Sequence, residues 1–159
     1  MHRPRRPSLL SWPRPPRRAG VGCAGALALA GLLGACSAPE SEAGGFPAEP
    51  YAILPSAASE LVLELRTAPD QPPTVGVSSV ELRVERASSH EPVTGLAIDA
   101  LPWMPAHDHG ASVAPTVAES GGGTYVVANV SFYMPGTWEL RLTFSGPVTD
   151  SAVATFDVR

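Results

Sequence analysis

The stretch that decides the fold is Thr137-Trp138-Glu139-Leu140-Arg141-Leu142-Thr143-Phe144. Trp138, Leu140, Leu142 and Phe144 take alternate positions, and Thr137, Glu139, Arg141 and Thr143 take the others. A period of two sends the first set to one face of a strand and the second set to solvent. Further out the same alternation recurs. Glu60–Arg66 places Leu61, Leu63 and Leu65 on one face. Ser79–Arg86 alternates Val80, Leu82 and Val84 with Glu81, Arg83 and Glu85. Thr94–Trp103 and Thr124–Phe132 read as strands too, the latter entered through Gly121-Gly122-Gly123. Ser151–Val158 follows the turn Ser145-Gly146-Pro147. Val113–Ala118 is a weaker strand, and Pro115 suits it to an edge, where a missing N–H costs no ladder bond. No stretch carries a helical period of useful length.

Seven short, half-buried strands over residues 60–159 predict an all-β, immunoglobulin-like sandwich, with a small antiparallel barrel as the alternative. Val80, Leu82, Val84, Val130, Leu140 and Leu142 are expected in its core. A chain of 159 residues allows one such domain.

The residues before it read as an export signal. Met1–Arg18 carries six arginines and no acidic group, and an apolar Ala/Leu/Gly run follows from Ala19 to Leu33. Small residues then lead into Leu33-Gly34-Ala35-Cys36. A basic start, a short apolar segment and a small-residue cut site make a secretory signal rather than a membrane span. Leu-Gly-Ala-Cys resembles the lipobox of bacterial lipoproteins, which implies cleavage after residue 35 and lipidation of Cys36. Arg5-Arg6 and Arg17-Arg18 lack the surroundings of a twin-arginine signal, so the general export route is expected. Residues 36–59, rich in Ala, Pro, Glu, Ser and Gly, read as a flexible tether, with Tyr51, Ile53 and Leu54 able to dock on the domain. The expectation is a chain lipid-anchored in the cell envelope. Ser37 rather than Asp after the cysteine suits outer-membrane sorting in a Gram-negative host.

Processing changes the chemistry of what is left. Cys23 leaves with the signal and Cys36 is capped, so no disulfide and no cysteine metal site is expected. Past Cys36 five arginines and no lysine stand against 15 acidic residues, a net charge of −10. Such a domain has no footprint for nucleic acid or anionic headgroups.

Coordination chemistry is concentrated in Trp103-Met104-Pro105-Ala106-His107-Asp108-His109-Gly110. This segment holds two of four histidines, one of three methionines and one of three tryptophans. In an antiparallel sandwich its loop shares a pole with Tyr133-Met134-Pro135-Gly136 and with Ala68–Thr74, and His90 falls at the other pole. Trp103-Met104-Pro105 and Tyr133-Met134-Pro135 repeat an aromatic-Met-Pro pattern. Met104, His107, His109 and Met134 are therefore candidate ligands. Thioether plus imidazole is a soft set that suits Cu(I), and imidazole also takes Cu(II) or zinc. In an extended segment His107 and His109 point to the same side, with Asp108 facing away. Trp103 is a candidate lid, its face attractive to a cation, or a docking residue. One competing reading makes Met104 and Trp103 caps of the core and leaves the histidines idle; another exposes Trp103, Met104 and Met134 as a docking surface for an envelope protein partner with no metal. No Gly-x-Ser-x-Gly elbow, phosphate-binding loop or acid–base pair is present, so no enzyme activity is expected.

From about Leu61 onward the chain resembles the YtkA-like domain, related to FixH-like proteins, of bacterial exported and membrane-anchored proteins. The resemblance rests on Glu64-Leu65-Arg66-Thr67, Pro92-Val93-Thr94-Gly95, the Trp103–Gly110 segment, Gly122-Gly123-Thr124-Tyr125, and Phe132-Tyr133-Met134-Pro135-Gly136-Thr137-Trp138-Glu139-Leu140. It implies an immunoglobulin-like domain, often near copper-handling or oxidase-assembly proteins. The family loop usually carries methionine where His107 stands. That departure keeps a metal donor but makes the set less exclusively one for Cu(I).

Overall fold

The structure, a computed structural model, describes residues 45–159. Residues 1–35, the lipobox and Cys36 lie outside the described residues. Nine strands follow in order: β1 (Ala52–Pro55), β2 (Leu61–Ala68), β3 (Gly76–Arg86), β4 (Ala97–Met104), β5 (His109–Gly110), β6 (Thr116–Gly121), β7 (Thr124–Phe132), β8 (Gly136–Ser145) and β9 (Asp150–Val158). A single 3-10 turn, Pro105–His107, separates β4 from β5. Among the described residues there is no α-helix, and none is long and apolar enough to cross a membrane.

The strands form two antiparallel sheets, β1-β2-β3-β7-β6 and β5-β4-β8-β9. Without the short additions β1 and β5, four strands face three in the order of a constant-type immunoglobulin sandwich. The alternation read from sequence is what packs them. Trp138, Leu140, Leu142 and Phe144 of β8 meet Leu61, Leu63 and Leu65 of β2 and Val80, Leu82 and Val84 of β3 in one core. Val130 joins them, so all six expected core residues are buried. Truncating one of these leucines to alanine costs about 2–5 kcal/mol, through lost transfer energy and the cavity left behind.

Three sequence expectations are corrected. The domain boundary at residue 60 moves: Tyr51 docks as expected, stacking on Phe156 with centroids 5.1 Å apart, but Ala52–Pro55 also pairs with Leu65–Val62 of β2 as a strand. Sheet pairing satisfies that backbone, and Tyr51 covers apolar surface, so the folded part begins well before residue 60. The third strand begins at Ala97, not Thr94. The segment before it is held instead by Tyr125, whose hydroxyl donates to the Val93 carbonyl at 2.9 Å and accepts the Leu96 N–H at 3.0 Å. The fourth strand is Thr116–Gly121 rather than Val113–Ala118, because Pro115 precedes the ladder instead of sitting in it. It is an edge strand, as expected.

A second clasp joins the sheets at the pole away from the histidine loop. The Ser56 hydroxyl donates to the Asp150 carboxylate, and the N–H groups of Ala58 and Ser151 donate to the same carboxylate at 3.0 and 2.7 Å. The Ser56 side chain also accepts the Leu61 N–H at 2.9 Å. Loop 56–61 of one sheet is thereby fixed to the start of β9 in the other.

Candidate metal centre

Strands β2, β4, β7 and β9 end at one pole of the sandwich, and β3 and β8 begin there. The connections 104–110 and 133–136 therefore come together, with the Ala68–Thr74 loop beside them. His90 lies at the other pole, near Glu85.

The local geometry of the loop follows from Pro105. Proline has no N–H to leave unsatisfied and its fixed φ suits the first position of a helical turn. The 3-10 turn closes with Asp108 in the left-handed region at φ 53, its N–H donating to the Pro105 carbonyl at 3.4 Å. Aspartate tolerates that conformation better than most residues. The segment is thus not extended, yet the turn brings the histidines together: the rings of His107 and His109 stack with centroids 5.7 Å apart and planes 27° apart. A metal–nitrogen bond of about 2 Å plus the ring radius puts each centroid about 3 Å from an ion, so two rings sharing one ion lie up to about 6 Å apart. The observed separation lies within that limit, and the near-parallel rings must turn to aim both nitrogens at one ion.

Met104 is the direct partner of His109 in the β4–β5 register. Residues directly opposite on an antiparallel pair share a face, so thioether and imidazole lie on the same side of the sheet. Met104 itself is a core residue, 3% exposed. It packs on β8, where a Cβ built on Gly136 would stand 2.7 Å from its Cε. Gly136 also has φ +131, so both conformation and space require glycine there. Met134 is half-buried against the core. Its carbonyl accepts the Trp138 indole N–H at 3.0 Å.

Trp103 points to the opposite face from Met104, since neighbours alternate along a strand. The cation over its ring is Arg141, with the guanidinium 4.8 Å from the centroid. Its place is the outer face of the second sheet, not above the histidines. Among the described residues no three His, Cys, Asp or Glu side chains gather as one ligand set. Any ion at this pole therefore draws on two imidazoles and on thioethers that are largely packed away.

One residue was missed as part of the site. Tyr133 stacks on His109 with centroids 5.5 Å apart, and its hydroxyl is a hydrogen-bond partner of His109 Nδ1. The signal was the repeated aromatic-Met-Pro pattern, in which the second aromatic plays a different part from the first.

The fold and this pole define a small immunoglobulin-like domain with a histidine pair at one end. The chain belongs to the YtkA-like family, whose model matches residues 58–143. Among curated proteins none matches the sequence. Two solved structures are similar in part. FetP of uropathogenic E. coli in its as-isolated form is 11% identical with a TM-score of 0.45, covering 62% of this chain and 87% of that one. A copper-bound variant of the same E. coli protein is 7% identical with a TM-score of 0.42, covering 67% and 91%.

Proposed function

We propose that this YtkA-like domain binds copper at its histidine pole, carried on a chain that a lipid on Cys36 anchors in the cell envelope. The observation that supports it is the proximity of His107 and His109, whose ring centroids lie 5.7 Å apart, within the span of two imidazoles on one ion. Met104, across from His109, is the third donor. Its sulfur reaches an ion at the imidazoles when the side chain swings away from Gly136. Met134 contributes only through a larger movement of its loop. Copper bound there is held by neutral nitrogens and soft sulfur, a set that serves Cu(I) and leaves Cu(II) to the imidazoles. The test is competitive titration of the purified protein with Cu(I) and with Cu(II), beside the His107→Ala/His109→Ala double variant. Micromolar or tighter binding that the double variant loses supports the reading, and equal binding by the two proteins removes it.

A second reading has its own observation. Leu101 is 45% exposed on the outer face of the second sheet, next to the Trp103–Arg141 pair. Aromatic and arginine side chains beside an exposed leucine resemble the centre of a protein interface. On this reading the face docks an envelope protein without metal. Capture of a partner that chelator does not disturb, and that Trp103→Ala abolishes, favours docking; capture that chelator abolishes favours the copper reading.

A further inference from the structure

We propose that Tyr133 is the positioning residue of the histidine pair: its hydroxyl holds the His109 ring beside that of His107, at a separation from which both can turn onto one ion. The proposal rests on the copper reading above.

A file of contacts leads from the core to the outermost histidine. Trp138 is fully buried, and its indole N–H is fixed on the Met134 carbonyl. Tyr133 sits edge-on to that indole, with centroids 5.0 Å and planes 80° apart. The other side of Tyr133 stacks on His109, which in turn stacks on His107. The phenol oxygen is a partner of His109 Nδ1 and lies 3.4 Å from both His109 Nε2 and the Gly110 carbonyl oxygen. One oxygen therefore touches the ring and the backbone of the residue after it.

Such an anchor matters because of where His109 sits. Strand β5 is two residues long and pairs only with Trp103 and Met104, so its backbone does little to restrict the ring. A ring ordered before an ion arrives loses less freedom on binding. Hydrogen-bond partners behind a ligating histidine are typically worth about 10–100-fold in metal affinity. Tyr133 reaches the ring from a different element, the β7–β8 connection, and so ties the two loops of the pole into one unit.

The test is Tyr133→Phe, which keeps the ring and its edge contact with Trp138 and removes only the oxygen. Two readouts are taken on the full chain. Without metal, the ring nitrogen NMR resonances of His109 shift in the variant and those of His90 at the far pole do not. With metal, Cu(II) affinity falls about 10–100-fold at unchanged Tm. Unchanged His109 resonances overturn the proposal, as does a shift in resonances with no change in affinity. A fall in affinity together with Tm marks general structural damage and overturns it too. If the wild-type protein binds neither Cu(I) nor Cu(II), the copper reading fails and the role of Tyr133 toward metal fails with it. The metal-free resonances then tell that failure apart from a failure of the contact itself.

Discussion

Met104 and His109 face each other across the β4–β5 pair, the first sealed in the core and the second half-exposed at the sheet edge. A thioether and an imidazole on one face, in adjacent strands, make Met104 both a packing residue and the donor nearest in register to the histidine pair. Met104→Leu separates these roles, because the two side chains are close in volume. The substitution costs less than about 1.5 kcal/mol of stability. Cu(I) affinity falls markedly and Cu(II) affinity little, since only the first ion depends on sulfur. Parallel titrations of both oxidation states, with thermal melts as control, check this. Equal Cu(I) affinity in the variant assigns Met104 to the core alone.

Asp150 makes stability sensitive to acid. Burial disfavours its charge, but the hydrogen bonds from Ser56, Ala58, Ser151 and Glu60 outweigh that and hold the carboxyl below its ordinary 3.8. A depressed value means stability that is present above the unfolded pKa of about 3.9 and lost as pH falls through the folded value. Asp150→Asn is therefore less stable than wild type at neutral pH, and the gap narrows as both are taken below pH 4. Urea midpoints at neutral and acid pH measure the gap. A constant difference would show that the carboxylate charge plays no part.

Tyr125 acts at the other end of the pH scale. Burial pushes its hydroxyl above the ordinary 10.0; the Leu96 N–H pulls it back, and the Glu119 charge raises it further. A raised value gives stability that is complete below the unfolded pKa and lost as pH rises through the folded one. Tyr125→Phe leaves the Leu96 N–H and the Val93 carbonyl without their partner and costs about 1–3 kcal/mol at neutral pH. It also removes this contribution to alkaline sensitivity. Melts at pH 7 and above pH 10 test both parts.

Lipidation of Cys36 is decided by mass. The native protein is expected as a species beginning at Cys36 with added acyl mass. A mature chain that begins there without acyl mass rules out the lipid anchor.

The fold was legible because its strands are half-buried, and half-burial writes itself as alternation. Leu61, Leu63 and Leu65, or Trp138 through Phe144, could be assigned to a face from spacing alone. Strand β1 was not legible, because Ala-Ile-Leu-Pro is too short to alternate and borders a polar segment. Its pairing is set by the edge of β2, which local sequence does not report. At the candidate site, the convergence of the two Met-Pro loops followed from counting antiparallel strands. The histidines met by a different route from the one expected, a 3-10 turn and a left-handed Asp108 instead of an extended run. Tyr133 could not be assigned because its role depends on what stands across from it. Trp103 and Tyr133 occupy matching places in the repeat, yet one faces Arg141 and the other His109.

The pairing of Ala52–Pro55 with β2 would also limit how far a lipid-anchored domain could travel. With residues 45–59 committed to it, a lipid on Cys36 would be joined to the fold by nine residue steps, about 30 Å at full extension. Gly45 lines one cleft with Ala68 and Pro69, just past the end of β2 and at the same end as the histidine loop. A short leash entering at that end would hold the pole within a shallow layer above the lipid. Exchange of an ion would then favour membrane-bound acceptors over soluble ones, and lengthening the leash with inserted Gly-Ser repeats would relax that preference.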